Sequence, residues 1–169
     1  MNSERGIVLR SAQQADLDGL NAVITACVMQ WDLPERVKRL TLNSYLYQLH
    51  DLDHLEILLA LTEEAKIVGV AAFEPAAEVD LPKGARGILL HGLYVDPGYQ
   101  HRGIGGRLVD AVLAQVRRQH LHGLLVKAQA GAVGFFVHQG FKHLPVENPD
   151  RDYPHRYWMP LSEGADSVS

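Results

Sequence analysis

A single cysteine, Cys27, stands in a chain of 169 residues, so no disulfide can form within it. No apolar run approaches the ~20 residues that a membrane-spanning helix needs. The first residues, Met1-Asn2-Ser3-Glu4-Arg5, lead into only a short apolar stretch, not the roughly 7–15-residue core of a secretory signal. The basic excess of a dedicated nucleic-acid binder is also missing: 16 Lys and Arg stand against 20 Asp and Glu, a formal charge of −4. Internal repeats, low-complexity blocks and linkers are absent. These absences predict a soluble chain in a reducing, cytoplasmic setting, with neither nucleic acid nor membrane as a partner. What is present is ordinary globular composition, 47% hydrophobic and 21% charged. The length suits one domain over residues 1–169, with 162–169 read as a loose tail.

Periodicity divides that domain into alternating elements. Ile7–Arg10 reads as a short strand. Asp16 opens a helix whose apolar residues Leu20, Val23, Ile24, Cys27 and Val28 share one face. Leu33–Leu49 reads as a second helical region, with Pro34 at an early position. Leu55–Leu61 and Lys66–Phe73 are apolar strands, and Thr62-Glu63-Glu64-Ala65 between them predicts a hairpin. Pro75–Gly87 is a loop, Ile88–Val95 a strand and Ile104–Gln119 the clearest amphipathic helix. Gly123–Ala128 is a strand, and Ala132–Gln139 a short helix stopped by Gly140. Phe141–Leu144 and Arg156–Leu161 close the series. The order β-α-α-β-β-β-α-β-α-β-β predicts a mixed α/β fold with a largely antiparallel sheet flanked by helices.

The stretch richest in chemistry is Leu93-Tyr94-Val95-Asp96-Pro97-Gly98-Tyr99-Gln100-His101-Arg102-Gly103-Ile104-Gly105-Gly106-Arg107-Leu108. It runs strand, turn, glycine-rich loop, helix. The first N–H groups of a helix lack internal partners and sit at the positive end of its dipole, so they bind anions. Glycines at 103, 105 and 106 let backbone approach a phosphate. Arg102 adds positive charge. Arg107 lies in the first turn, where a cation opposes the dipole unless a polyanion is bound. A nucleotide-binding P-loop requires Lys followed by Ser or Thr after the glycines, and none follows. A dinucleotide fingerprint requires glycine where Leu108 stands, and an acidic residue about 20 positions on. A plain glycine turn before a helix is the remaining alternative.

Gln100-His101-Arg102-Gly103-Ile104-Gly105 resembles the Q/R-x-x-G-x-G/A pyrophosphate motif of the GNAT superfamily of acetyl-CoA-dependent N-acetyltransferases. Leu93-Tyr94-Val95-Asp96-Pro97 resembles that family's fourth strand and its exit turn. Gln129-Ala130-Gly131-Ala132-Val133-Gly134-Phe135-Phe136-Val137-His138-Gln139-Gly140-Phe141 resembles its N-x-x-A-x-x-F-Y-x-x-x-G-F segment. The resemblance covers Ile88–Phe141. It implies a mostly antiparallel sheet of six to seven strands whose fourth and fifth strands splay apart around the pantetheine arm of acetyl-CoA. It also implies that backbone groups of Leu93, Tyr94 and Val95 pair with that arm. The amides of Gln100, His101, Arg102, Gly103, Ile104, Gly105 and Gly106, with Arg107 beyond them, would hold the pyrophosphate. Gln129 and Phe136 would complete the cofactor contacts. Two departures stand out. Gln129 replaces the usual Asn. Phe136 replaces a Tyr that often protonates the departing sulfur, and a phenyl ring cannot donate a proton.

The implied activity is acetyl transfer from acetyl-CoA to a primary amine, either a small molecule or a protein amino group. No metal is implied, and a homodimer is compatible with it. The candidate bases are His91, on the strand leading into the motif, and Glu74, at the end of the preceding strand. The bland readings are a hydrogen-bonded strand histidine and a solvated strand end. His138 and Tyr153 are alternative acids or plain surface residues. His50 and His54 have metal-ligand spacing if helical, but lack a third ligand and an HExxH. Trp31, Tyr45 and Tyr47 line an acceptor pocket or simply pack. The rival to an enzyme is a non-catalytic acyl-CoA-binding regulatory domain.

Overall fold

The computed structural model describes residues 6–161. The readings of residues 1–5 and of the tail at 162–169 lie outside the described residues. Seven strands form one sheet in the order β1-β2-β3-β4-β5-β7-β6. They are β1 (Val8–Ser11), β2 (Glu56–Leu61), β3 (Ile67–Pro75), β4 (Gly87–Val95), β5 (Gly123–Lys127), β6 (Lys142–His143) and β7 (Arg156–Pro160). The helices are α1 (Leu17–Met29), α2 (Glu35–Tyr45), α3 (Ile104–Arg118) and α4 (Val133–His138). The sheet is mostly antiparallel and flanked by helices, with β4 and β5 parallel. Their pairs run from Gly87↔Gly123 to Leu90↔Val126, and β4 itself continues to Val95. No described helix is long and apolar enough to cross a membrane. Contacts gather the chain into two compact units. One runs to Ala72 and resumes over Gly92–Asp110; the other comprises Phe73–His91 and the chain from Ala111.

In the first unit α1 buries Leu20, Val23, Ile24, Cys27 and Val28. Their spacing is that of one helical stripe, and each large aliphatic so buried contributes about 1.5–3 kcal/mol. They meet Ile57, Leu59 and Leu61 of β2 and Val70 and Ala72 of β3 in one core cluster. Helix α1 ends where Lys38, itself buried, donates from Nζ to the Met29 carbonyl at 2.9 Å, satisfying one of the carbonyls a helix end leaves open. Asn21 of α1 donates to Tyr47 O at 2.8 Å and accepts from Tyr47 N at 2.9 Å. Tyr47 is buried in the same cluster, and Trp31 meets Tyr45 edge to face at 5.1 Å. All three pack on the first unit's core, Trp31 and Tyr45 only partly buried. The turn between β2 and β3 closes through Thr62 N to Lys66 O, 2.9 Å, with Ala65 left-handed at φ 65°.

Gly69 of β3 has a steric reason that periodicity does not show. A Cβ there would lie 3.0 Å from Leu108 Cδ1 and 3.1 Å from both Ala60 Cβ and Ile104 Cγ2. Its absence lets the first turns of α3 seat directly on the strands, the close approach that glycine in a strand often marks.

In the second unit, Leu81, Leu125 and Trp158 form a small core with Ala76, Ala85, Leu89 and Leu144 packed against it. Strand β5 pairs antiparallel with β7 from Gly123↔Pro160 to Lys127↔Arg156, and β7 with β6. The Pro75–Gly87 connection contains one turn of 3₁₀ helix, Glu78–Asp80. Gly140, at φ 100°, follows α4 as expected of a C-terminal glycine.

Candidate functional site

The glycine-rich segment is built from the end of β4 outward. Asp96 N donates to Val68 O of β3 at 2.8 Å, fixing where the chain leaves the sheet. The Asp96 carboxylate then accepts from Gly98 N at 2.9 Å and starts a 3₁₀ turn, Pro97–Tyr99. Proline at the first position suits such a start, since no amide is lost there. His101 and Gly103 are both left-handed, at φ 64° and 82°. Such a conformation is uncommon for a residue with a Cβ. It reverses the chain so that α3 begins at Ile104, with Arg107 N donating to Gly103 O at 3.1 Å. Ile104, Leu108 and Val109 are buried, so the helix is anchored and its N-terminal amides are held in place. No acidic residue occupies that first turn, which leaves the positive end of the dipole uncompensated.

The Val95 carbonyl has two donors. Gln100 Nε2 reaches it at 3.1 Å, and Cys27 Sγ of α1 also at 3.1 Å. A carbonyl oxygen has two lone pairs, so this one is fully engaged inside the fold. The resemblance assigns Gln100 and Val95 to the cofactor; the structure adds that Gln100's side-chain amide donates to the strand end. Burial pushes the Cys27 thiol up to about 11. Tyr94 packs against the first unit's core, and burial, then Tyr45 and Cys27, raises its phenol far above the ordinary value. Arg107 donates from Nη1 to Ile7 O at 3.0 Å. The cation that opposes the dipole in the sequence thus has a structural partner on the segment leading into β1. Arg102 instead lies over the Tyr99 ring, 5.0 Å from its centroid.

The second unit carries the remaining candidates. His91 is exposed on β4, on the face opposite the buried Ile88 and Leu90. Glu74 is half-buried near the end of β3. Gln129 is exposed before α4. Phe136 is buried, edge to face with Phe135 at 5.1 Å and with Phe141 at 5.3 Å. Its ring belongs to an aromatic trio, which explains why an apolar residue suits the position. Tyr153 donates from its hydroxyl to Ala128 O at 3.1 Å, at the end of β5, and His138 is exposed on α4.

His50 and His54 are not on one helical face. His50 lies in a 3₁₀ turn, Leu49–Asp53, and both rings approach Asp51, at 3.6 and 3.8 Å. Among the described residues no cluster of three or more His, Cys, Asp or Glu is placed to hold a metal. Sequence reasoning missed the Cys27–Val95 contact, since nothing in local spacing signals a bond across 68 residues. It also missed Lys66, whose ammonium lies 5.2 Å from the Tyr99 centroid.

Comparison with known proteins identifies the family and the fold. The family model described as Acetyltransferase (GNAT) family matches residues 25–141. No curated protein matches the chain. Among solved structures, the chain resembles the PaiA N-acetyltransferase of Thermoplasma acidophilum in complex with coenzyme A. The TM-score is 0.70 at 15% identity, over 92% of this chain and 98% of that one. A GNAT family acetyltransferase from Brucella melitensis in complex with acetyl-CoA is similar at TM-score 0.62 and 21% identity, over 92% and 88%. AtaT complexed with acetyl-methionyl-tRNAfMet is similar at 0.62 and 20%, over 96% and 99%. These likenesses concern the fold; the family match covers most of the chain and includes the glycine loop. The chain belongs to the GNAT acetyltransferase family, and is an acyltransferase that uses acetyl-CoA.

Proposed function

We propose that the chain transfers the acetyl group of acetyl-CoA to a primary amine by direct attack of the neutral amine on the thioester. The observation that carries this reading is the Gln100–Gly106 loop opening onto the N-terminus of α3 at Gly103, φ 82°. The loop amides would take the pyrophosphate, and backbone groups of Leu93–Val95 the arm that leads to the thioester. The Val95 carbonyl already accepts from Gln100 and Cys27, so the proposed partners of the arm are the Val95 N–H and the Leu93 groups. In the step itself the amine nitrogen forms the C–N bond and the carbonyl electrons move to oxygen. A backbone N–H near Leu93–Val95 would stabilise that oxyanion. Collapse then breaks the C–S bond, CoA leaves as thiolate and the amine loses one proton. Phe136 offers no acid, and a thiol of reference pKa ~8.5 departs tolerably without one.

The amine's proton needs an acceptor, and His91 and Glu74 are the two proposed. An amine with a Lys-like pKa near ~10.4 is mostly protonated at neutral pH, so a base, directly or through water, contributes typically ~10²–10⁴-fold. The acceptor class is a primary amine on a small molecule or protein. The tRNA complex of a structural neighbour is a reason to add an aminoacyl-tRNA, whose α-amine is also primary. The chain's net charge of −4 weighs against a nucleic-acid acceptor.

The test is CoA release over such a panel, in wild type, His91→Ala and Glu74→Gln. Turnover is expected on at least one amine. His91→Ala should lower kcat by ~10²-fold or more and leave acetyl-CoA affinity nearly intact. A crippled Glu74→Gln beside a normal His91→Ala would move the base to Glu74. Tight acetyl-CoA binding with no turnover on any amine would sink the amine reading and favour a non-catalytic acyl-CoA-binding domain.

A further inference from the structure

Two cations converge on one aromatic ring beside the glycine loop. Lys66 Nζ lies 5.2 Å, and Arg102 Cζ 5.0 Å, from the centroid of Tyr99. They come from different elements. Lys66 closes the β2–β3 turn, where its carbonyl accepts from Thr62 N. Arg102 belongs to the loop before α3. The Asp96 N to Val68 O bond ties β4's exit to the start of β3, and so brings both elements to the Tyr99 ring. Both side chains are exposed. Among the described residues neither is in an ion pair. Glu63 and Glu64 share the turn with Lys66, yet its ammonium lies against the ring instead of pairing with them. A ring quadrupole attracts a cation but does not neutralise it. Two like charges that share one ring are thus without a counterion among the described residues.

A ligand that supplies one is already implied. Coenzyme A carries, apart from its pyrophosphate, a phosphate monoester on the ribose 3′ oxygen, with a charge of about −1.5 to −2 at pH 7. The α3 amides suit the pyrophosphate. Lys66 lies on a separate element, beyond the loop, and is not needed for that contact. We propose that Lys66 and Arg102, held in place by Tyr99, form a subsite for the 3′-phosphate of coenzyme A, and so select coenzyme A over its 3′-dephospho form. This rests on the reading of the loop as the pyrophosphate site.

Calorimetric titration of the full chain with coenzyme A and with 3′-dephospho-coenzyme A tests it, using wild type, Lys66→Met, Arg102→Met and the double variant. Wild type should prefer coenzyme A by ~10-fold or more at low ionic strength, with the preference shrinking as salt is added. Lys66→Met should cut that ratio several-fold, the loss falling on coenzyme A and not on the dephospho form. The double variant should bring the ratio near one. A ratio near one in wild type, or an unchanged ratio in the double variant, overturns the subsite. Failure of wild type to bind either ligand overturns the pyrophosphate reading and the subsite with it. Competition by adenosine 3′,5′-bisphosphate but not by adenosine 5′-monophosphate is the expected signature of the monoester itself. Equal competition by inorganic phosphate alone would reduce the site to a nonspecific anion contact and overturn the selection claim.

Discussion

Cys27 shows how one side chain serves two structures at once. Its position on the apolar stripe of α1 makes it a core residue, and its thiol donates to the carbonyl that ends β4. The neutral thiol is the form that both roles need. Burial raises its pKa to about 11. Its stabilising contribution is therefore complete below the unfolded-state value of ~8.5 and is lost as pH rises towards about 11. Alkylation by iodoacetamide at pH 8 should run roughly a hundredfold slower in the native chain than in urea, because the thiolate fraction falls by about that factor. Cys27→Ser, which keeps a donor, should flatten the alkaline limb of stability against pH. Native alkylation as fast as in urea would contradict the placement of this thiol.

Among the elements, the loop and first turn of α3 make separable demands on their glycines. Gly103 needs its positive φ, where a β-branched residue is an outlier. Gly105 is already helical, and on the proposed pyrophosphate reading it sets how closely a phosphate can approach. Gly103→Val should therefore lower both melting temperature and acetyl-CoA affinity. Gly105→Val should raise the dissociation constant at least ~10-fold, about 1.4 kcal/mol, with a nearly unchanged melting temperature. Wild-type affinity in Gly105→Val, measured by calorimetry, would remove the pyrophosphate from this helix end. The seat of that helix depends in turn on Gly69, since a Cβ there would meet Leu108 and Ile104.

Over the whole molecule, acid stability should depend on Asp152. This buried carboxylate accepts from Glu147 N and Asn148 N, both at 3.1 Å, and from Arg151 Nε at 3.0 Å. Arg156, also buried, lies 3.4 Å from it and donates to Asp80 O and Pro145 O. The two side chains so connect the loop after β3, the segment before β7 and β7 itself. Among the described residues Arg156 Nε has no partner, so the network is under-satisfied at one atom. The Asn148 amide first, then Arg151, Glu147 N and Arg156 hold the Asp152 carboxyl down at about 2. A lowered native pKa means that its contribution is complete above the unfolded-state value of ~3.9 and is lost as pH falls towards about 2. Urea midpoints measured between pH 5 and pH 2 should fall through this window in wild type. Asp152→Asn should start lower and fall less steeply over the same range. A parallel curve for the variant would show that the carboxylate's charge is not what stabilises the loop.

The sequence by itself determined the elements and the family. The order of strands and helices, the buried face of α1, the stop at Gly140 and the strand–turn–glycine–helix segment all follow from local periodicity and from residues with restricted or unusual backbone freedom. Such signals are carried by neighbours in the chain, so they survive without a structure. Tertiary structure decided which polar atoms remain available. In the fold the Gln100 side chain turns back to Val95 and that of Arg107 to Ile7, bonds that no local pattern announces. The sequence offered Trp31, Tyr45 and Tyr47 as pocket or packing, and the fold shows all three in contact with the first unit's core. It gave no sign that Lys66 and Arg102 would both lie over Tyr99. Hydrogen bonds and charge contacts between distant residues depend on how strands register and helices seat, and no periodicity within one segment encodes the atoms of another.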